Sequence, residues 1–138
     1  MTSAIVAVLG ALVVAAVVGW LLNRRAGHVR AIDPETAGEV DTTDLGLSAD
    51  GPTVVHFSAS WCSPCTQVRR VVNKVCDDLG DVAHVEIDMD ANPAAARRLS
   101  VLSLPTTFIF DAGGRQRYRT AGVPKADDLR SALTPLLA

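Results

Sequence analysis

The stretch Ser58 to Gln67, SASWCSPCTQ, decides the fold of this 138-residue chain. It holds two cysteines, Cys62 and Cys65, with two residues between them, a tryptophan (Trp61) directly before the pair and a proline (Pro64) inside it. A cysteine pair with this spacing can exchange electrons, bind a metal or brace a fold. The sequence around the pair discriminates among these three uses.

The sequence predicts a helix from about Cys62 to Leu79, so that the pair lies at the helix N-terminus. Residues three apart on a helix lie roughly 5–6 Å from each other, the Cα separation that a disulfide prefers. The helix dipole and unpaired amides favour an anion there and lower a thiol pKa from its usual value of about 8.5. Pro64 fits the first turn, where its missing N–H costs nothing. Cys62 is therefore placed to attack a disulfide, and Cys65, one turn deeper, to resolve the product.

The segments around the pair alternate between strand and helix patterns. This β-α-β-α-β-β-α order predicts an α/β fold, a mixed sheet with helices on both faces. A Gly113-Gly114 pair marks a hairpin between the last two strands. The predicted elements are strand 53–58, helix 62–79, strand 82–89, a short helix from Asn92-Pro93 to about Leu99, strands 106–111 and 115–121, and helix 127–137, with a short strand possible around 28–32 and a helical turn near 42–47.

The N-terminal segment is long and apolar enough to cross a membrane. Ala4 to Leu22 are 19 consecutive uncharged residues, close to the ~20 residues that span a bilayer. A cleaved secretory signal is the alternative, but such signals begin with basic residues and end in small ones, whereas this run ends in Leu22-Asn23-Arg24-Arg25. We expect a transmembrane anchor over residues 1–23, a juxtamembrane linker over 24–44 and a globular domain over 45–138.

Flanking charge predicts the orientation of this span. Arg24, Arg25 and Arg30 follow it and no Lys or Arg precedes it. The positive-inside rule therefore places the C-terminal domain on the cytoplasmic face of the membrane, with the extracytoplasmic orientation as the alternative.

Charge and ligand spacing argue against two classes of function. From Ala31 onward the chain has 15 acidic and 10 basic residues, whereas nucleic-acid binding requires a basic face. A structural zinc site needs four ligands. The chain has only one CxxC pair, and His28, His56 and His84 lack a metal-ligand spacing. We predict no metal, no organic cofactor and no nucleic-acid partner.

Three motifs together resemble the thioredoxin family. They are WCSPC at 61–65, SLPTTFIF from Ser103 and AGVPKADDL from Ala121, in family order and spacing, and the resemblance covers about Leu45 to Ala138. It implies dithiol–disulfide exchange with disulfide-containing proteins, with an electron donor such as a thioredoxin reductase. It implies further that Trp61 shields the cysteine pair, that Leu104 precedes a cis-proline at Pro105, and that Gly122 lets a substrate strand approach closely.

Two positions depart from the family pattern. Thioredoxins usually carry a buried aspartate six residues before the first cysteine and a lysine on the adjoining strand, and this chain has His56 and Glu86 there. Histidine has an unperturbed pKa of about 6.5, which suits proton transfer near neutrality. Our hypothesis is that His56, held by Glu86, accepts the proton that Cys65 releases. The alternative is a core-adjacent histidine bonded to a backbone carbonyl.

A further departure from the family pattern concerns the long helix, which in the family is usually kinked by a proline. Here Arg69-Arg70 occupies that region, so we expect a straighter helix. Further along, Cys76 lies about 16 Å beyond Cys65 along the helix axis, too far for a disulfide. It falls on the apolar stripe of the helix, so we expect it to pack in the core.

The sequence therefore predicts a membrane-anchored thioredoxin-like protein-disulfide reductase that uses Cys62 and Cys65. Ser63-Pro64 resembles the Gly-Pro of reducing thioredoxins, and a cytoplasmic location favours reduction. The alternatives are an extracytoplasmic oxidase, isomerase or cytochrome-assembly thioredoxin and, with less support, a metal-binding protein or a redox-inactive scaffold on the same fold.

Overall fold

A computed structural model of the chain describes residues 2–33, 35 and 38–138. Its first element, α1 (Thr2–Arg24), is an apolar helix of 23 residues. All of these residues lie within the described ranges, and none of them is buried against the rest of the chain. By length and composition α1 could cross a membrane, and a signal sequence would pass the same test.

The rest of the chain is built on a five-stranded mixed sheet in the order β1-β5-β4-β2-β3. The strand β2 is central, pairs in parallel with β3 and antiparallel with β4, and is buried along its whole length because both sheet faces are covered. The strands are β1 (Arg30–Ala31), β2 (Thr53–Ser58), β3 (Ala83–Asp88), β4 (Thr106–Phe110) and β5 (Gln116–Ala121).

Two apolar cores cover the two faces of the sheet. On one face, α2 (Cys65–Leu79) and α4 (Ala126–Leu133) pack on Val54 and Ile109. On the other face, α3 (Pro93–Arg98) packs on Phe57 and Phe108. Since successive side chains of a strand point to opposite faces, β2 contributes Val54 to the first core and Phe57 to the second. The predicted α/β fold, a mixed sheet with helices on both faces, is confirmed.

Two helix boundaries differ from the prediction, the first because of a tight turn and the second because of a proline. The helix α2 begins at Cys65 rather than Cys62, because Cys62 to Pro64 form a tight turn in which the Cys65 N–H donates to the Cys62 carbonyl at 3.3 Å. The last helix, predicted to reach Leu137, ends at Leu133 and continues as a 3₁₀ turn, Thr134–Leu137. Pro135 has no N–H to extend the α-helical ladder.

The segment after α1 joins the sheet. Arg30 and Ala31 pair antiparallel with Arg119 and Tyr118 of β5, so the short strand expected around 28–32 forms at the sheet edge. The hairpin at Gly113-Gly114 also forms, with Gly114 in the left-handed region (φ +76°), which favours glycine. The helix α2 runs from Cys65 to Leu79 without a proline, and its straightness stays a prediction.

Candidate active site

The two cysteines form a disulfide at the junction between β2 and α2, with Cα atoms 5.5 Å apart. Cys62 is 8% exposed and Cys65 is 2% exposed, and the Cys65 Sγ lies 4.0 Å from the Phe57 carbonyl oxygen. Cys62 is therefore the more accessible of two shielded sulfurs. The pair packs with Ala59, and Leu104 covers it from the neighbouring loop.

That neighbouring loop contains a cis peptide bond between Leu104 and Pro105. It is tied to the next loop because the Gly122 N–H donates to the Pro105 carbonyl oxygen at 2.9 Å. Gly122 has a φ of +88°, a left-handed conformation that favours glycine. A Cβ placed there would lie 3.2 Å from the Gly27 nitrogen, so the side of Gly122 where a side chain would stand faces the chain's own N-terminal segment.

Trp61 lies beside the pair with most of its side chain in solvent, since it is 67% exposed. Its indole Nε1–H donates to the carboxylate of Asp90, in the loop after β3, at 2.9 Å. Asp90 thus fixes the orientation of a large apolar surface next to the disulfide.

His56 is fully buried in the middle of β2, opposite Glu86 on β3 and Thr107 on β4. Its Nδ1 lies 2.8 Å from Nε2 of His84, and the two rings stack. His84 Nδ1 in turn lies 2.7 Å from the Asn73 side-chain oxygen on α2. A row of three side chains therefore connects the buried imidazole to exposed Asn73.

With the Asn73 side-chain oxygen, rather than its amide nitrogen, toward His84, the row defines which nitrogen of each ring carries the proton. The Asn73 oxygen can only accept, so His84 Nδ1 donates to it and His84 Nε2 keeps a lone pair. His56 Nδ1 must then donate to His84, which leaves a lone pair on His56 Nε2. Among the described residues this atom has no hydrogen-bond partner. In this arrangement the His56 Nε2 lone pair is buried, with the Glu86 carboxylate 3.5 Å away.

Burial lowers the pKa of His56 to about 4, and the opposing attraction of Glu86 does not offset it. Burial also lowers the pKa of His84. Both rings are consequently neutral near pH 7, so each carries one proton. A single proton therefore lies between His56 Nδ1 and His84 Nε2, as a hydrogen bond between these atoms requires.

Glu86 lies 3.5 Å from His56 Nε2, so the structure brings together the two residues singled out in the sequence. The shorter contacts of Glu86 go elsewhere, to the Arg69 guanidinium in a bidentate pair and to the Ser58 hydroxyl at 2.9 Å. The hydrogen bond to Arg69 is the main reason why the pKa of Glu86 falls to about 2. His84 makes the shorter contact with the His56 ring, at 2.8 Å, and Glu86 lies 3.5 Å from the other ring nitrogen, so that Glu86 holds His56 stays a prediction.

The sequence reading did not assign a site role to Arg69, Asn73 and His84, although its own periodicities place them. His84 and Glu86 are two apart on β3 and so share a sheet face. Arg69 and Asn73 follow Cys65 at intervals of four, which puts all three on one side of α2. The two periods place these residues on one side of α2 and on one face of β3, but they do not show which side chains pair.

Cys76 packs in the core formed by α2 and α4, as predicted. Burial raises the pKa of this free thiol to about 11, so it is protonated and unreactive near neutrality. Within the described ranges, no three His, Cys, Asp or Glu side chains converge in a way that could hold a metal ion.

A cysteine pair at a strand–helix junction, one sulfur more accessible than the other and both beside a cis-proline, is the site of a thiol–disulfide oxidoreductase. The family model for thioredoxin matches residues 39–135. The chain belongs to the thioredoxin family, and like other members it is a thiol–disulfide oxidoreductase.

Individual relatives agree with this assignment. A thioredoxin of Mycolicibacterium smegmatis is 36% identical over 104 residues, which cover 70% of this chain and 93% of the relative. A thioredoxin of Streptomyces clavuligerus is 32% identical over 64% of this chain and 83% of its own length. Among solved structures, a thioredoxin from Halobacterium salinarum superposes with a TM-score of 0.60 at 30% identity, covering 66% of this chain and 79% of the other.

Proposed function

We propose that this protein is a membrane-anchored protein-disulfide reductase in which Cys62 attacks and Cys65 resolves. The observation that carries the proposal is the difference in accessibility between the two sulfurs beside the Leu104-Pro105 loop. The Cys62 thiolate attacks one sulfur of a substrate disulfide and expels the other as a thiolate. The Cys65 thiolate then attacks Cys62 Sγ, which releases the second substrate thiolate and closes the Cys62–Cys65 disulfide. Two electrons pass to the substrate, and a dithiol donor, such as a thioredoxin reductase system, restores the pair.

His56 is the proposed acceptor of the Cys65 proton, and its pKa of about 4 makes it a weaker base than the free imidazole on which the prediction was based. It lies on the sheet face beneath α2, because Glu86 and His84 on its two sides both contact α2 side chains. Its Nε2 carries the available lone pair, and Glu86 at 3.5 Å stabilises the imidazolium that forms. His56→Ala should therefore slow the resolving step and change its pH profile. A variant with the rate and profile of the wild type would contradict this role.

Leu104, Pro105 and Gly122 are the proposed substrate contacts, together with Trp61. Leu104 packs on the cysteine pair from this loop, and the exposed indole of Trp61 offers an apolar surface beside it. Extracytoplasmic disulfide formation or isomerisation is the alternative use of the same pair.

An insulin-reduction assay tests the proposed activity. The full chain with dithiothreitol as donor should precipitate insulin at a rate that Cys62→Ser abolishes. Cys76→Ala is the matched control, since Cys76 is buried in the core away from the pair and its loss should leave turnover intact. Equal turnover by wild type and Cys62→Ser would refute the reductase.

Membrane anchoring through Ala4–Leu22 is supported by the fully exposed apolar surface of α1, which has no partner within the described chain. Positive charge after the span supports a cytoplasmic domain. A membrane-impermeant thiol reagent, applied in the Cys76→Ala background with the pair reduced, distinguishes the two sides. Labelling only after lysis would support the cytoplasmic face, and labelling of intact cells would place the domain outside. Release of the protein by carbonate with a shortened N-terminus would indicate a cleaved signal.

A further inference from the structure

The segment that leaves α1 docks beside the proposed substrate site. The chain between the end of α1 and Gly27 consists of Arg25 and Ala26, a distance of at most about 10 Å. The Gly27 N–H donates to the Ala121 carbonyl at 2.7 Å, and Ile32 N–H donates to the Arg117 carbonyl at 2.9 Å. Together with the β1–β5 pairing, these bonds fix the segment along the edge of the sheet.

Gly27 is closely fitted at this position. It has a φ of +82°, and a Cβ there would lie 2.1 Å from the Val123 carbonyl oxygen. Any other residue would push the segment away from the loop that contains Gly122. A long flexible tether therefore does not separate α1 from the domain.

A short series of contacts joins this docking point to the disulfide. Ala26 and Gly27 lie against Gly122, whose N–H donates to the Pro105 carbonyl. Leu104, on the other side of the cis bond, packs on the cysteine pair. A cleft of about 560 Å³ opens beside these contacts, and it is lined by Leu22 in the last turn of α1, by Arg25 just after the helix and by Gly122. The end of the span and the substrate loops thus form one continuous surface.

The residues on this side of the molecule suit a location at the bilayer surface. Arg25, His28 and Arg30 line the cleft next to the span, where basic side chains meet lipid headgroups. Trp61, directly before Cys62, and Leu102, two residues before Leu104, are 67% and 92% exposed. Exposed apolar side chains of this size mark an interaction surface when they flank a functional site.

We propose that the docked segment holds the Cys62–Cys65 pair close to the membrane surface, so that its substrates are disulfides in membrane proteins that lie within a few residues of the bilayer. This inference rests on the proposed function and holds for either side of the membrane. A disulfide carried far from the bilayer, or on a soluble protein, would have to enter between the domain and the headgroups.

The test uses the full chain in lipid nanodiscs with three reporters that carry the same fluorescence-quenched disulfide loop. One reporter places the loop 3 residues from a transmembrane helix, the second places it beyond a 20-residue Gly/Ser spacer, and the third is soluble. We expect the wild type to reduce the short-spacer reporter at least fivefold faster than the long-spacer one. Equal rates on the two anchored reporters would overturn the inference.

Two variants separate docking from anchoring alone. A 15-residue Gly/Ser insertion between Arg25 and Ala26 adds a flexible length of roughly 20 Å and leaves β1 in place, so it should abolish the preference for the short spacer. The same insertion between Gly38 and Glu39, after β1, is the matched control and should retain it. Gly27→Val should act like the first insertion through the clash with Val123. If the first insertion kept the preference, docking would not be its cause. Failure of the wild type to reduce any of the three reporters would overturn the proposed function itself, and this inference with it.

Discussion

At the scale of single residues, the site differs from its family in how it holds a buried base. A histidine replaces the usual aspartate beneath the pair, and its proton is positioned by a second histidine and an asparagine. A carboxylate can accept a proton at either oxygen, but an imidazole accepts only at the nitrogen without a hydrogen. The orientation of the row from Asn73 to His56 therefore decides whether His56 can act.

This dependence on orientation can be measured through Asn73. Asn73→Leu removes the acceptor for His84 Nδ1–H, so the resolving step should slow by about tenfold, part of the roughly 10²–10⁴ that general acid–base catalysis supplies. Asn73→Asp keeps an acceptor and should retain the rate and its pH profile. Imidazole ¹⁵N shifts should show a proton on Nδ1 of both rings in the wild type. A His56 proton on Nε2 in the wild type would contradict the arrangement.

The buried histidine also makes stability depend on pH. The pKa of His56 lies near 4 in the folded protein and near 6.5 in the unfolded chain, so between these values the unfolded chain binds more protons. Stability should be constant with respect to this group above pH 6.5 and fall by up to about 3 kcal/mol as the pH decreases toward 4.

Urea unfolding of the full chain in detergent, repeated from pH 8 to pH 4, measures this effect. His56→Gln, which does not titrate, should reduce the slope between pH 6.5 and 4. Below about pH 4.5 both proteins should still lose stability, because the pKa of Glu86 is depressed to about 2 by its bond to Arg69. A wild type whose stability did not change between pH 6.5 and 5 would contradict a buried neutral His56.

At the scale of helices and strands, α4 shows how the core supports the site. Leu129 is fully buried and packs against α2, the helix that starts with Cys65. Leu129→Ala should lower the free energy of unfolding by about 2–5 kcal/mol, since it leaves a cavity in a packed core. Leu102→Ala is the control, because an exposed leucine contributes little, and its unfolding midpoint should match that of the wild type. Equal midpoints for both variants would contradict the packing described here.

The sequence predicts most of these elements because their side chains follow a period. The strands β2 and β4 are found within one residue of their predicted bounds, since β-branched and aromatic residues pack well in a buried sheet. The start of α2 and the end of α4 are misplaced, since the tight turn from Cys62 to Cys65 and the missing N–H of Pro135 change the local hydrogen bonding, which a hydrophobic pattern does not record. The pairing of β1 with β5 could not be predicted, because a two-residue strand has no pattern that selects a partner.

The residues of the site also divide into those that the sequence predicts and those that it does not. The cysteine pair, the cis-proline and Gly122 follow from motifs that are local in sequence. Arg69 and His84 depend on contacts between α2 and β3, which form only when the helix packs on the sheet. Long-range side-chain pairing of this kind needs the three-dimensional register and not only the spacing.

At the scale of the whole molecule, the chain combines a family domain with an N-terminal region outside the family match. The match covers residues 39–135, whereas α1 and β1 precede it. The structure nevertheless incorporates β1 into the sheet and places Gly27 against Gly122. The proposed anchor and the proposed substrate surface are thus connected through the backbone. In the proposal, the position of the domain at the membrane surface therefore determines which substrates it can reach.

The central claim is that Cys62 attacks and Cys65 resolves, and trapping the mixed disulfide tests it most directly. Reduced Cys65→Ser, in the Cys76→Ala background, is mixed with a substrate disulfide, quenched with acid and mapped by mass spectrometry. The account predicts a stable adduct on Cys62, and a much slower reaction for Cys62→Ser under the same conditions. Rapid adduct formation on Cys65 in Cys62→Ser, with little adduct on Cys62 in Cys65→Ser, would reverse the assigned roles and contradict the account.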